Sequence, residues 1–164
     1  MIDRVVRYLC DAGVPFRLAV YPMPEPSPEV AHALPPGTLL VETQVVLVDG
    51  NPAIACVPYG IPVGFVALSR ALDAVVLEAS PAELRDEYRG APEPLPPLGG
   101  LFGTPLLLDD EIPASPHIAF RAFSYGAFVE MAYDDFALIE RPRVASFAQG
   151  GELPAAERTE HAHP

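Results

Sequence analysis

The residues with the most suggestive chemistry are the run Gly99-Gly100-Leu101-Phe102-Gly103. Main-chain N–H groups in such a run can face a bound carbonyl or ester and hold the charge that develops on its oxygen. The same glycines can equally serve a turn that needs positive φ, and the local pattern alone favours the turn. The run is not a dinucleotide fingerprint, and no Lys-Ser or Lys-Thr follows it, so a phosphate-binding P-loop is excluded. His161 and His163 form a His-x-His pair, but two ligands in a polar tail make a weak metal site. His32 and His117 stand alone. Asp109, Asp110 and Glu111 follow an apolar stretch and read as a solvated loop. Cys10 and Cys56 match no metal spacing and read as two buried or half-buried thiols. No HExxH motif, Cys/His cluster or nucleophile elbow occurs, so neither metal nor cofactor is expected.

Every basic residue is an arginine, and the net charge is -12. The absence of lysine removes Schiff-base chemistry and ammonium clamps. An acidic chain repels nucleic-acid backbones at long range, so any RNA contact must be local, transient or assisted. Half of the 164 residues are apolar and the mean hydropathy is +0.23, enough for one packed core. The longest clean apolar stretch, Ile61 to Leu68, is far short of the roughly 20 residues that span a bilayer. The N-terminus has charges where a secretory leader would be apolar, so a cytoplasmic protein without a membrane partner is expected.

The elements that must position these residues follow from periodicity. Ile2, Val5, Val6 and Leu9 share a helical face, and Gly13 ends it, which predicts a helix over 2–12. A strand is expected from Phe16 to Tyr21, then a proline-rich loop over 22–28 and a short helix, capped by Ser27, to about Leu34. Thr38 to Val48 reads as a long strand, Asp49-Gly50 as a hairpin turn, and Pro52 to Val57 as the return strand. Val63 to Leu68 fits either a strand or a helix start, and Ala74 to Leu77 a short strand. Ser80-Pro81-Ala82-Glu83 is a capping box for a helix over 81–88. A loop is expected from Gly90 to Gly100 and an apolar segment from Leu101 to Leu108. Paired strands are expected over His117–Phe123 and Ala127–Tyr133. A helix capped by Asp134 or Asp135 should run through Glu140. The mixture lacks βαβ alternation and implies an α+β fold with a mixed, mostly antiparallel sheet. One domain over 1–148 and a disordered tail over 149–164 are expected.

The order of several short segments resembles the YbaK-type aminoacyl-tRNA deacylases, a superfamily that includes the editing domain of bacterial prolyl-tRNA synthetases. The segments are Pro96-Pro97-Leu98-Gly99, Gly103-Thr104-Pro105, Leu106-Leu107-Leu108-Asp109, Phe120-Arg121-Ala122-Phe123-Ser124-Tyr125, Tyr133-Asp134-Asp135-Phe136 and Arg141-Pro142-Arg143-Val144-Ala145. Upstream, Val45-Val46-Leu47 and Ala55-Cys56-Val57-Pro58 resemble the family's central hairpin. The resemblance implies a curved, barrel-like sheet with flanking helices. It also implies hydrolysis of the ester joining a wrong amino acid to the tRNA 3′ end, by an activated water without a metal, with a synthetase as a possible partner. It assigns catalytic positions to Thr43, Gly99, Ser124 and Tyr125, and substrate contacts to Tyr21, Gln44, Leu98, Gly100 and Arg121. Thr43, Gln44, Gly99, Ser124 and Tyr125 should then line one concavity. The sequence departs from the family in ways that bear on catalysis. Thr43 and Gln44 stand where the family has Lys and Thr, Leu98 stands for its Phe, and Tyr21 for an N-terminal His. The family's Asn-Ala-Gly-Thr-His has become Arg121-Ala122-Phe123-Ser124-Tyr125, and the resemblance offers Arg121 as a relocated cation on a neighbouring strand. The alternative is a catalytically degenerate protein of the same fold that binds a small ligand or a protein.

Overall fold

The longest element, strand β2 (Thr38–Val48), organises the molecule. In the computed structural model, residues 2–20, 33–80, 95–123 and 126–149 are described. Asp49 and Gly50 both have positive φ (50° and 85°), the twist that closes a two-residue hairpin. They return the chain as β3 (Asn51–Pro58), antiparallel to β2 from the Val48↔Asn51 pair to Val41↔Pro58. On its other edge β2 has two partners. Residues 38–40 run parallel to β6 (His117–Arg121), and residues 46–48 run antiparallel to β4 (Val76–Glu78). Among the described residues no strand pairs with 41–45 on that edge.

The remaining strands extend the sheet both ways. β7 (Ala127–Ala132) pairs with β6, and β1 (Arg17–Val20) with β7, both antiparallel. Beyond β3, β5 (Leu106–Asp109) and then β8 (Arg143–Ala145) add in parallel. The eight-stranded sheet is mixed and largely antiparallel, in the order β1-β7-β6-β2-β3-β5-β8 with β4 on β2. It ends at β1 and β8 and does not close, so the expected barrel is an open sheet. Among the described residues α-helical segments accompany it, α1 (Ile2–Ala12), α2 (Phe65–Leu72), the turn α3 (Gly99–Phe102) and α4 (Tyr133–Glu140), with a 3-10 turn at Ile112–Ala114.

Strand alternation sorts the side chains of β2 onto two faces. Leu39, Val41, Val45 and Leu47 join the main core with Val5 and Leu9 of α1, Leu98, Phe120 and Phe136. Val46 and Val48 face a second core with Val63, Leu68 and Phe147, and Leu40 a small third one with Ala119 and Phe128.

The structure corrects several expected boundaries. The open choice at 63–68 resolves as helix α2 from Phe65. The short strand lies two residues later than expected, at Val76–Glu78. Gly99 and Gly100 are not loop but open α3, and only the end of the 101–108 segment is strand. Asp134 and Asp135 do not cap α4. Ala132 is its N-cap, and the two carboxylates sit in the first turn, where they complement the helix dipole. Cys10 is exposed, whereas Cys56 is buried, and burial pushes its thiol pKa up. The expected helices over 81–88 and before Leu34, and the tail from 150, lie largely or wholly outside the described residues.

Asp109 is the sharpest correction. It is not solvated but 1% exposed. Its Oδ1 accepts the N–H groups of Phe147 (2.9 Å) and Ala148 (2.7 Å), and its Oδ2 that of Glu111 (3.0 Å). One carboxylate thus ties the end of β5 to the chain after β8, which delivers Phe147 to the second core. Asp109→Asn turns one acceptor into a donor facing the Glu111 N–H. It should lower unfolding free energy by about 1–3 kcal/mol, the penalty of a buried polar group left unmatched. Asp110→Asn, at the exposed neighbour, should leave the urea midpoint unchanged.

Candidate functional site

The site is best built outward from the gap in β2's edge. Thr43 points to the main-core face, and its hydroxyl donates to the Leu95 carbonyl at 2.7 Å. That bond brings residues 95–98 across the gap. Leu95 and Leu98 are buried and pack in the core, so Leu98 walls the region from within and presents no free surface. The chain then turns through α3. Gly99 fits only as glycine, because a Cβ there would collide with the Thr104 carbonyl. A Cβ on Gly100 would meet the Tyr8 hydroxyl. Gly103 closes the turn at φ 63°. Beyond Gly100, Phe102 packs edge-on against Phe123 with ring centroids 5.9 Å apart. The segment 95–102 therefore touches β2 at one end and the β6–β7 turn at the other.

Phe123 stands where the resembled family has Gly, and its φ is 62°. A bulky side chain in the left-handed region is a genuine outlier. The backbone path that suits glycine is kept while a buried aromatic ring fills the space beside it. Sequence comparison within the motif registered the lost glycine but not the retained conformation.

Gly100 is already engaged. Its N–H donates to Glu140 Oε1 (3.1 Å), and the Tyr8 hydroxyl donates to Glu140 Oε2 (2.8 Å). The last residue of α4 thus holds the glycine turn and α1 together with one carboxylate. Burial raises the Glu140 pKa, opposed by the Gly100, Tyr8 and Gly99 hydrogen bonds. Burial, and then the hydrogen bond and charge of Glu140, push the Tyr8 phenol up. Glu140 also borders an open cavity of about 730 Å³ with Gly99, Gly100, Thr104, Arg141 and Arg143. Both of its carboxylate oxygens are engaged, by the Tyr8 hydroxyl and the Gly100 N–H. Glu140 and Tyr8 carry no local motif, since they meet only through 132 residues of intervening chain.

Gln44 and Arg121 fall elsewhere. Alternation sends Gln44 to the face opposite the Thr43 hydroxyl, where with Glu42 and residues 60–63 it borders a cavity of about 270 Å³ that Thr43 also edges. Just past the last paired residues of β2 and β6, Leu40↔Ala119, Arg121 reaches Glu42. Its Nη2 lies 3.7 Å from Glu42 Oε1, and Glu42 Oε2 accepts the Gly60 N–H. Arg121 is therefore neutralised on the face away from the Thr43 hydroxyl. Gly99 and Gly100 border the cavity of about 730 Å³, and Thr43 and Gln44 that of about 270 Å³. Tyr21, Ser124 and Tyr125 lie outside the described residues. No group of three or more His, Cys, Asp or Glu side chains that could hold a metal occurs among the described residues.

Two measurements test this geometry. At an ordinary position Ala is more stabilising than Gly, but at positive φ the order inverts. Both Phe123→Ala and Phe123→Gly lose the ring packing, yet the Gly variant should be the more stable by about 1 kcal/mol in denaturant titrations. For Glu140, a raised folded pKa means its stabilisation is fully present below the ordinary value of 4.5 and is lost as pH rises through the folded value. The unfolding midpoint of the wild type should therefore fall relative to Glu140→Gln as pH climbs above 4.5, then level off.

No protein-family model and no curated protein matches the sequence. Solved structures do match. A proposed trans-editing enzyme for prolyl tRNA synthetase superposes with a TM-score of 0.76 at 18% identity, over 90% of this chain and 96% of that one. A scaffold used for computational epitope backbone grafting gives 0.76 at 16% identity, over 90% and 96%. A proposed signal transduction protein from Marinobacter aquaeolei VT8 gives 0.71 at 17% identity, covering 88% of this chain and 30% of that one. At such identities the likeness establishes the fold and nothing finer. The chain shares the fold of these structures, a YbaK-like fold.

Proposed function

We propose that the protein is an aminoacyl-tRNA deacylase of the trans-editing kind, hydrolysing the ester of mischarged aminoacyl-tRNA with altered specificity. One observation supports this above the others. Segment 95–102 touches β2 through the Thr43–Leu95 bond and the β6–β7 turn through the Phe102–Phe123 contact. These are the three segments to which the resemblance assigns the site. In this reading water adds to the ester carbonyl, and the ribose oxygen leaves with a proton, releasing the amino acid and intact RNA. Thr43 fixes the strand edge, Gly99 lets the turn approach closely, and Ser124 and Tyr125 offer hydroxyls near the ester. Leu98 shapes the pocket wall from the core. Gln44 and Arg121, on the other face, are left out of the site. The partners are the 3′ end of a mischarged tRNA, bound transiently, and the synthetase that makes the error, which places the protein in the cytoplasm. Among the described residues no helix is long and apolar enough to cross a membrane.

The second reading, a catalytically degenerate binding module, is favoured by a different observation. The Gly100 N–H, a donor that a carbonyl substrate would use, is taken by Glu140.

A deacylation assay on a panel of mischarged tRNAs separates the two. The family's cation is missing at Thr43, and one charge-assisted contact contributes about 1–3 kcal/mol. The wild type should therefore be weak on standard substrates, and Thr43→Lys should raise turnover roughly ten- to a hundredfold, at about 1.4 kcal/mol per tenfold. Inactivity of both proteins, with the fold verified by circular dichroism, would favour the binding module.

A further inference from the structure

Arg121 is paired with Glu42 on the face away from the Thr43 hydroxyl, so a second cation would have to meet the RNA end on the Thr43 side. Arg4 on α1 is exposed, and its Cζ lies 5.8 Å from the centroid of the Phe102 ring. Phe102 in turn packs on Phe123 of the β6–β7 turn. The guanidinium is thus held within two ring contacts of the proposed ester site, on the side of the main core. Helix stability does not explain a cation here. Arg4 sits near the N-terminal end of α1, where the dipole disfavours positive charge. Arg7, also exposed, follows one turn on. A planar cation stacked on an aromatic ring still offers its N–H edge to a phosphate, and such pairs recur where single-stranded nucleic acid is bound.

Resting on the deacylase reading above, we infer that Arg4, seated on Phe102, is the phosphate-binding residue that positions the single-stranded 3′ end of the RNA. An acidic chain gains more from one oriented cation at the mouth than from diffuse attraction, because the remainder of its surface repels the RNA.

The probe is a labelled acceptor-stem hairpin RNA whose 3′ end carries an amide-linked, non-hydrolysable amino acid. Its binding is read by fluorescence anisotropy between 50 and 200 mM salt. Arg4→Ala should weaken Kd about tenfold and reduce the log Kd versus log salt slope by about 0.7, one single-strand phosphate contact. Arg4→Lys should keep the slope but not the full affinity, because it retains charge without planar stacking. Phe102→Leu should weaken binding while the slope falls less than in Arg4→Ala. Arg70→Ala, an exposed arginine on α2, should match the wild type. Equal affinity and slope for Arg4→Ala and wild type would overturn the role of Arg4 and leave the deacylase reading standing. A wild type that fails to bind the hairpin even at 50 mM salt would overturn both. Arg4→Gln repeats the test should Arg4→Ala shift the unfolding midpoint.

Discussion

A single strand with two partners on one edge sets the terms for everything around it. β2 is 11 residues long, and on the edge opposite β3 its two ends pair with β6 and β4, which run in opposite directions. Strands that approach from either end of one edge leave main-chain groups between them in need of partners, and buried main-chain groups seldom go without. The contacts seen there come from non-strand backbone: the Ala79 N–H reaches the Val45 carbonyl at 3.4 Å, and Leu95 meets the Thr43 hydroxyl. The gap therefore draws the segment leading into the glycine turn toward the middle of the sheet. Placing segment 95–102 between β2 and the β6–β7 turn is a consequence of sheet pairing before it is a matter of chemistry.

The same strand separates charge. Its odd residues join the main core and its even residues face the other side, so adjacent polar residues such as Thr43 and Gln44 belong to different environments. Glu42 pairs with Arg121 on the even face. The odd face has a hydroxyl, two buried leucines and an aromatic pair, with Glu140 fastening the turn from beyond. Arg4 of α1 lies over Phe102 at one end of this face, and Arg141 and Arg143 border the cavity beside the glycine turn. Electrostatic attraction is then confined to a few oriented groups, which fits a chain of net charge -12 better than a basic groove would.

Much of this fold was legible because its longest signals are local. The apolar face of Val5 and Leu9 predicts α1, the β-prone run from Thr38 to Val48 predicts β2, and Asp49-Gly50 predicts the turn between β2 and β3. The paired strands before and after residues 124–125 follow from the same reasoning. What escaped was set by partners far away in the chain. Asp109 looks like the first of three solvated acids until Phe147 and Ala148 return to it. Glu140 looks like the polar end of a helix until Tyr8 and Gly100 reach it. Leu98 looks like a substrate contact in a motif, but the Thr43–Leu95 bond draws its segment into the core. Periodicity gives the face a residue occupies and is silent on which element will cover that face. The motif order reached the correct fold, and strand alternation sets the adjacent Thr43 and Gln44 on opposite faces.

Phe123 shows how backbone and side chain can part ways at such a site. A left-handed residue at the start of the β6–β7 turn is a requirement of the chain path, and glycine meets it without strain. With phenylalanine the strain remains at about 1–3 kcal/mol and has to be offset by something the ring contributes. Burying an aromatic ring contributes on that scale, and its edge-on contact with Phe102 adds to it. The exchange gives the turn a rigid apolar shoulder where a glycine would leave space, and it gives Phe102 a fixed orientation under Arg4. Phe123, Phe102 and the guanidinium of Arg4 thus form one aromatic stack with a cation at its outer end.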